Sequence, residues 1–130
     1  MAKQHPKPTE SELTILQILW SEGPSTVREV NNVLNAQKEN EVGYTTTLKH
    51  LQIMAEKTLV SRDTSTRTHV YKPNILEEDT QKTLVKGLVE KVFGGSAMNL
   101  VMQALGNHNT SPEELAEIKK LIQELENKKS

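Results

Sequence analysis

The chain has 130 residues, of which 25% are charged and 35% hydrophobic, and its formal net charge is −1. This composition is typical of a globular protein with one domain of ordinary size or two small ones. Because there is no cysteine, disulfides, thiolate metal sites and cysteine nucleophiles are excluded. The first ten residues lack an apolar stretch and later apolar runs are short, so the sequence predicts no signal peptide, no membrane span and, by default, a cytoplasmic location.

Positive charge is concentrated in the middle of the chain. Residues 49 to 72 contain five Lys and Arg against two acids, whereas residues 76 to 130 contain seven Lys against nine acids. The local excess is close to that of an ordinary protein surface, so the amount of charge does not by itself indicate a nucleic-acid partner. The positions of these cations along the predicted elements are more informative.

Two helices are predicted in the first 38 residues. Thr9 and Glu12 match a capping box, so the first helix is predicted to begin after Thr9 and to end at Gly23 and Pro24. Ser25 is predicted to cap a second helix that continues to about residue 38. The residues predicted to share the inner faces are Leu13, Leu16 and Trp20, then Val27, Val30 and Leu34. Arg28, Glu29, Asn31 and Asn32 are predicted to face outward.

A third amphipathic helix is predicted to begin near residue 43. Helical periodicity places Tyr44, Leu48, Leu51 and Ala55 on its inner side and Thr46, Lys49, His50, Ile53 and Lys57 on the opposite side. Threonine hydroxyls near a helix N-terminus can bond phosphates or meet a thymine methyl, and Lys49 can donate to guanine O6 and N7. Ile53 either contacts thymine methyls or packs against another segment.

A β-hairpin is predicted directly after the third helix. Residues 59 to 63 and 68 to 72 are short β-prone segments joined by a polar connection, and alternation places Val60 and Val70 toward the core. Arg67 at the tip and Arg62 on the flank are suited to phosphate contact. Three helices followed by a basic hairpin indicate a winged helix, in which one helix enters the DNA major groove and the hairpin contacts the backbone.

The last 55 residues are predicted to form three helices with exposed apolar stripes. An apolar stripe that three short helices cannot fully bury is formed by Leu84, Val85, Leu88, Val89 and Val92. Burial of this stripe against a partner chain is the simplest arrangement. Ser96 is predicted to cap the next helix, which carries Ala97, Leu100, Val101, Ala104 and Leu105. Ser111 and Pro112 open the last helix, where Leu115, Ile118, Ile122 and Leu125 pack either within the chain or against a second copy.

Four sequence blocks, in order, resemble a known family of repressors. They are residues 13 to 30, residues 43 to 60, HVYKP at 69 to 73 and FGGS at 93 to 96. The family comprises the penicillinase, methicillin-resistance and copper-responsive repressors, the BlaI/MecI/CopY group. The resemblance implies a homodimeric transcriptional repressor with an N-terminal winged helix, a helical dimerisation region and a palindromic operator overlapping a promoter. By position it assigns Thr45, Thr46, Lys49 and His50 to the recognition-helix surface.

The chain departs from this family at three points. In antibiotic-responsive members a membrane metalloprotease is implicated in cutting an Asn-Phe bond, whereas the matching bond here joins Gln103 and Ala104, so cleavage by such a partner is a hypothesis. Copper-responsive members sense soft metals through cysteine pairs, a route that a chain without cysteine cannot use. Thr58 replaces the usual Gly after Glu-Lys, and a left-handed helix end there would carry a steric cost.

Other classes of function are less compatible with the sequence. His5 is assigned to a tail and His108 to a polar loop, and His50 and His69 lack the spacing of a metal or catalytic motif, so no enzyme and no cofactor are predicted. Gly94 and Gly95 are better interpreted as a turn than as a phosphate loop. A winged helix that binds protein remains an alternative. Single-strand binding is disfavoured because only 3% of residues are aromatic.

The sequence therefore predicts a mainly α fold, with a winged helix-turn-helix domain at 1–75 and a helical dimerisation domain at 76–130. Double-stranded operator DNA and a second copy are the expected partners. The predicted DNA-contacting residues are Thr45, Thr46, Lys49, His50, Ile53, Arg62 and Arg67. The predicted dimerisation residues are Leu84, Leu88, Val92, Leu100, Ala104, Leu115, Ile118, Ile122 and Leu125.

Overall fold

The structure, a computed structural model, describes residues 7–37, 41–107 and 109–129. His5, His108 and the predicted end of the second helix at about residue 38 lie outside the described residues. The elements in chain order are α1 (Glu10–Glu22), β1 (Ser25–Thr26), α2 (Val27–Gln37), α3 (Tyr44–Glu56), β2 (Val60–Asp63), β3 (Val70–Pro73), α4 (Glu77–Lys91), α5 (Ala97–Asn107) and α6 (Pro112–Lys129). Contacts divide the chain into a first unit that ends at Lys82 and a second unit that begins at Thr83. The predicted mainly α, winged helix-turn-helix fold is confirmed.

Local signals fix both ends of α1 as predicted. The Glu12 amide donates to the Thr9 hydroxyl at 3.2 Å, and the Thr9 amide donates to the Glu12 carboxylate at 2.9 Å, which completes the capping box. Gly23 has φ 85° and its amide donates to the Leu19 carbonyl, so the helix ends at a residue that tolerates this backbone conformation.

The start of α2 differs from the prediction. Ser25 is not the cap: it belongs to β1, and its hydroxyl donates to the Gly23 carbonyl at 2.8 Å. Thr26 caps the helix instead, because its hydroxyl accepts from the Glu29 amide at 3.1 Å while the Glu29 carboxylate accepts from the Thr26 amide at 2.9 Å. A strand of two residues is too short for alternation to reveal it in the sequence.

The sheet is antiparallel with the order β1-β3-β2, so the predicted hairpin gains a third strand. Its register corrects one predicted core residue. Val60 pairs with Pro73, and Tyr71 lies on the same face as Pro73 because side chains alternate along a strand. Val60 and Tyr71 are therefore buried together, whereas Val70 pairs with Asp63 on the other face and is only half-buried.

The first unit has a single apolar core beneath its helices and sheet. Its buried members are Ile15, Leu16, Ile18, Leu19, Val27, Val30, Leu34, Leu51, Met54, Leu59, Val60 and Tyr71. Trp20 lies at the margin of this core, where its indole N–H donates to the Ile75 carbonyl at 3.0 Å. The predicted inner faces of the first two helices are thus confirmed for Val27, Val30, Leu34 and Leu16, with Leu13 and Trp20 packed at the margin.

The turn from α3 into β2 forces Thr58 into the left-handed region. The Leu59 amide donates to the Met54 carbonyl at 2.9 Å and the Thr58 amide donates to the Ala55 carbonyl at 3.0 Å, the pattern of a Schellman cap. Thr58 has φ 63°, and among the described residues it is the only non-glycine residue with a positive φ. The helix therefore ends in the left-handed conformation for which a steric cost was expected, and the β-branched Thr58 carries that cost.

The second unit has well-formed helix ends. The Ser96 hydroxyl accepts from the Asn99 amide at 3.1 Å, and the Ser111 hydroxyl accepts from the Glu114 amide at 3.0 Å, which confirms both predicted caps. Between α4 and α5, Gly94 and Gly95 have φ 58° and 88°, so this pair forms a turn as expected.

The second unit has no interior of its own. None of its described residues, 83–107 and 109–129, is buried. The apolar side chains at least 37% exposed there are Val85, Leu88, Val92, Met98, Val101, Met102, Leu105, Leu115, Leu121, Ile122 and Leu125. No helix within the described ranges has the length and apolar composition needed to cross a membrane. The functional division at residues 75 and 76 stays a prediction.

Candidate nucleic-acid interface

The inner face of α3 is rotated from the predicted one. Thr47, Leu51 and Met54 are fully buried, and Leu48 and Ala55 are packed at the margins of the core. Tyr44, predicted to point inward, is instead 45% exposed. The sequence interpretation assigned Thr47 to neither face, and its hydroxyl has a hydrogen-bond partner in the interior.

That partner is Asn31, which was predicted to face outward and is buried. The Asn31 amide donates to the Thr47 hydroxyl at 2.9 Å and to the Val42 carbonyl at 3.0 Å. The side-chain oxygen of Asn31 accepts from the Asn35 side-chain amide at 3.3 Å. The side-chain oxygen of Asn35 in turn accepts from the Val42 backbone amide at 2.6 Å. This network, which we call the α2–α3 amide network (Asn31, Asn35, Val42 and Thr47), fixes the N-terminal end of α3 against α2.

The side of α3 opposite the core forms one exposed row. Thr45, Lys49, Gln52 and Glu56 are all exposed at intervals of three and four residues, and Thr46 is exposed beside them. His50 and Ile53, also predicted to contact DNA, are half-buried on the flank of this row. Gln52 was missed by the sequence interpretation, although its spacing from Lys49 would have identified it. A glutamine in this row can form the bidentate pair with adenine that direct readout uses.

Lys57 does not belong to the exposed row, contrary to the prediction. Its ammonium donates to both carboxylate oxygens of Glu12, at 2.9 and 3.1 Å, and so joins the end of α3 to the start of α1. Burial raises the pKa of the Glu12 carboxyl, but the Thr9 amide and the Lys57 ammonium outweigh burial and hold that pKa below its ordinary value of 4.5. The ion pair fixes the second end of α3.

The wing presents its two arginines to solvent. Arg62 on β2 and Arg67 in the loop before β3 are both exposed. The Ser65 amide donates to the Asp63 carboxylate at 2.9 Å, and the Thr66 hydroxyl donates to the Thr68 carbonyl at 2.6 Å. The bonds from Ser65, with Lys72 nearby, hold the pKa of the Asp63 carboxyl below its ordinary value. The loop that carries Arg67 is therefore shaped by local hydrogen bonds.

The cationic side chain of Arg28 lies beside the N-terminal end of α3. The Arg28 guanidinium, on the first turn of α2, is 5.4 Å from the centre of the Tyr44 ring. In the ranges that the structure describes, no group of three His, Asp or Glu side chains could hold a metal ion. The first unit thus combines an α3 row anchored at both ends with exposed cations on α2 and on the wing.

Comparison with known proteins gives a consistent match over nearly the whole chain. A family model described as the penicillinase repressor matches residues 8–124. The penicillinase repressor of Staphylococcus aureus is 23% identical over 128 residues, which cover 98% of this chain and 100% of that protein. The penicillinase repressor of Bacillus licheniformis is 24% identical over 127 residues, with 98% of each covered.

Two solved structures are similar to this chain at slightly lower sequence identity. A MarR family protein from Bacillus stearothermophilus is 21% identical with a TM-score of 0.47, covering 92% of this chain and 74% of that one. A variant of ZitR from Lactococcus lactis is 20% identical with a TM-score of 0.45, covering 100% of this chain and 81% of that one.

Proposed function

Because the chain belongs to the penicillinase repressor family of DNA-binding transcriptional regulators, we propose that this repressor acts as a homodimer on a two-fold symmetric operator. Each chain would place α3 in the major groove of one half-site and the wing against the adjacent backbone. Transcription would be blocked because the bound dimer occupies the promoter.

The DNA-binding part of the proposal is carried by the exposed row of α3. A reading helix must present polar side chains from a fixed backbone, and α3 is held at one end by the α2–α3 amide network and at the other by the pair of Lys57 with Glu12. Thr45, Thr46 and Lys49 would contact base edges or phosphates from the first two turns. His50 and Ile53 would contact them from the flank of the row.

The wing would supply affinity without sequence preference. Arg62 and Arg67 are exposed cations on the hairpin, and each phosphate contact releases counterions when DNA binds. We therefore assign the wing to the DNA backbone and the α3 row to sequence choice.

The homodimer is supported by the second unit, where none of the described residues is buried. Helices of this length gain most of their stability by packing an apolar face, so these stripes need a cover. A second copy supplies matching stripes and gives the two-fold symmetry that a palindromic site requires. The proposed dimerisation residues are Leu84, Leu88, Val92, Leu100, Ala104, Leu115, Ile118, Ile122 and Leu125.

The test begins with in vitro selection of duplex DNA by the full chain. The proposal expects an inverted repeat with half-sites about 10 base pairs apart, or a multiple of that spacing, bound by two chains. Lys49→Ala should relax preference at one base position of each half-site, whereas Arg67→Ala should weaken binding to all sequences and make the salt dependence shallower. Selection that returns no inverted repeat would refute the symmetric operator, and unchanged preference in Lys49→Ala would refute the readout assignment.

Relief of repression is proposed to follow proteolysis at the bond between Gln103 and Ala104 by a membrane metalloprotease. Both side chains are exposed on α5, and cutting inside a helix requires the helix to unwind locally, because its backbone groups are paired there. The repressor itself is proposed to act in the cytoplasm, where the operator lies. Coexpression with a metalloprotease encoded next to this gene, followed by mass spectrometry, should give fragments ending at Gln103. A full-length chain under derepressing conditions would exclude this route.

A further inference from the structure

Arg28 lies on α2, the helix that precedes the proposed reading helix. It occupies the second position of α2, and its guanidinium is placed over the ring of Tyr44, the first residue of α3. In this motif the helix before the reading helix crosses the phosphate backbone while the reading helix lies in the groove. If α3 enters the groove as proposed, the first turn of α2 would face the DNA strand that borders the contacted bases.

The charge of Arg28 is not neutralised within the described part of the chain. The carboxylate next to it in sequence, that of Glu29, accepts from the Thr26 amide as part of the α2 cap. Among the described residues no carboxylate lies within ion-pair distance of Arg28. A surface arginine held by a ring rather than by an acid keeps its full charge available to an incoming anion.

The contact with Tyr44 also leaves the donors of Arg28 available. A ring face attracts the cation as a whole, whereas a carboxylate would occupy the N–H groups at the guanidinium edge. Those N–H groups match the geometry of a phosphate and can bind it with two hydrogen bonds. The ring thus limits where the side chain can go without using the atoms that bind phosphate.

We propose that Arg28, positioned by Tyr44, contacts a DNA backbone phosphate beside the bases that α3 reads. This inference rests on the proposed DNA binding and adds a contact on α2 to those on α3 and the wing. Arg28 would raise affinity for all sequences, and Tyr44 would act as its positioning residue.

The experiment measures fluorescence anisotropy of the full chain with two duplexes of about 30 base pairs, long enough for two half-sites one turn apart. One duplex carries the inverted repeat recovered by selection. The other has the same base composition in a scrambled sequence. Arg28→Ala should weaken binding to both by about 3- to 10-fold for each chain. The slope of log affinity against log salt should fall by about 0.9 for each chain, hence by about 2 for a dimer.

Four further variants separate a phosphate contact from a structural one. Tyr44→Phe keeps the ring and should bind as the wild type does, whereas Tyr44→Ala should weaken binding by about 2- to 5-fold. In the double variant with Arg28→Ala the effect of Tyr44→Ala should disappear, because the ring would have nothing left to position. Arg28→Lys retains the charge but not the planar fork, so it should recover most of the salt slope and only part of the affinity.

Lys82→Ala is the matched control, because it removes one exposed cation whose contact is with Glu78 on the same helix. If Arg28→Ala has the same affinity and salt slope as this control, the phosphate contact is refuted while the DNA binding of the wild type stands. If Arg28→Ala only lowers the melting temperature reported by Trp20 and leaves the salt slope unchanged, Arg28 is a structural residue. If the wild type binds neither duplex, the inference fails together with the proposed function.

Discussion

The two compact units of the chain differ in what their helices bury. In the first unit, three helices and a small sheet enclose an apolar core and a buried amide, and among its described residues no buried side-chain nitrogen or oxygen lacks a hydrogen-bond partner. In the second unit, helices with good caps carry apolar stripes that stay exposed. Capping and helix length therefore do not make a core, and only the first unit has the burial from which independent stability derives.

The comparison predicts different responses to concentration. Trp20 is the only tryptophan of the chain and lies in the first unit, so its fluorescence reports on that unit alone. If the second unit is completed by a partner chain, dilution should lower the melting temperature of its helices, which circular dichroism detects, and should leave the fluorescence transition in place. Coincident transitions that both move with concentration would show that the units do not differ in this way.

The largest expected effect comes from Ile122→Asp on α6. A carboxylate in the middle of the proposed dimer contact would have to lose its hydration, so the dimer should dissociate, and operator affinity should fall by about 100-fold or more because the two half-sites are no longer linked. Sedimentation measures the association and anisotropy measures the affinity. Lys119→Gln on the same helix changes the charge by the same amount and should leave both unchanged. A dimer that survives Ile122→Asp would remove α6 from the interface.

Asn31→Ala tests whether the first unit depends on its buried polar groups. The change leaves the Val42 carbonyl and the Thr47 hydroxyl without their donor, so the free energy of unfolding should fall by about 2 to 3 kcal/mol. Asn32→Ala, on the exposed side of α2, should cost less than about 0.5 kcal/mol. Denaturant unfolding followed by Trp20 fluorescence gives both values.

A second substitution sharpens the Asn31 experiment. In Asn31→Ala combined with Thr47→Val, one of the orphaned polar groups is removed, so the double variant should be more stable than the sum of the two single effects predicts. Strict additivity would indicate that the two side chains act independently.

Glu12→Gln tests the ion pair that fixes the end of α3. The pKa of the Glu12 carboxyl is below its ordinary value in the folded chain, so its contribution is fully present above the unfolded-state pKa. That contribution is lost as pH falls through the lower, folded-state pKa. At neutral pH the variant should be less stable by about 1 to 2 kcal/mol, because Lys57 loses a charged partner but stays partly in water.

The difference between the wild type and Glu12→Gln should shrink as the pH is lowered below about 4.5. Urea unfolding at a series of pH values gives this difference directly, and the other titrating carboxylates, including Asp63, cancel because both proteins contain them. A difference that does not vary with pH would show that the carboxylate charge is not what stabilises the contact.

The smallest expected effect is a gain of stability from Thr58→Gly. Relief of the left-handed strain should contribute about 1 to 2 kcal/mol, offset by about 0.5 to 1 kcal/mol for the greater freedom of glycine in the unfolded chain. The net gain should therefore be about 0.5 to 1 kcal/mol. Thr64→Gly is the control, since Thr64 has no positive φ, and it should lower stability. A loss of stability in Thr58→Gly would mean that the Thr58 hydroxyl outweighs the strain.

The parts of the fold that the sequence predicted are those set by neighbouring residues. The capping box of Thr9 and Glu12 acts over three residues, and the caps at Ser96 and Ser111 act over the same distance. Such signals can be identified without knowing the tertiary structure. A left-handed end at Thr58 was raised only as a condition, because the resembling family usually has Gly at this position.

The parts that were wrong depend on residues far along the chain. Asn31 is buried because Thr47, 16 residues away, accepts its hydrogen bond, and Lys57 is drawn from the exposed row by Glu12, 45 residues away. A polar residue whose partner lies far along the chain is assigned to the surface by default. Periodicity therefore could not predict the burial of Asn31 or the ion pair of Lys57. Tyr71 was missed in favour of Val70 because the strand register, rather than residue type, decides which face is buried.

Glu12 takes part in two sets of bonds at once, the cap of α1 with Thr9 and the ion pair with Lys57. These positions should therefore change together during evolution. A descendant that loses the acid at position 12 loses the helix cap and leaves a lysine without its partner, so the lysine is under pressure to be replaced soon afterwards. Lineages that keep the acid should keep both Thr9 and Lys57, or their nearest chemical equivalents, even where the exposed row of α3 has diverged to recognise another operator.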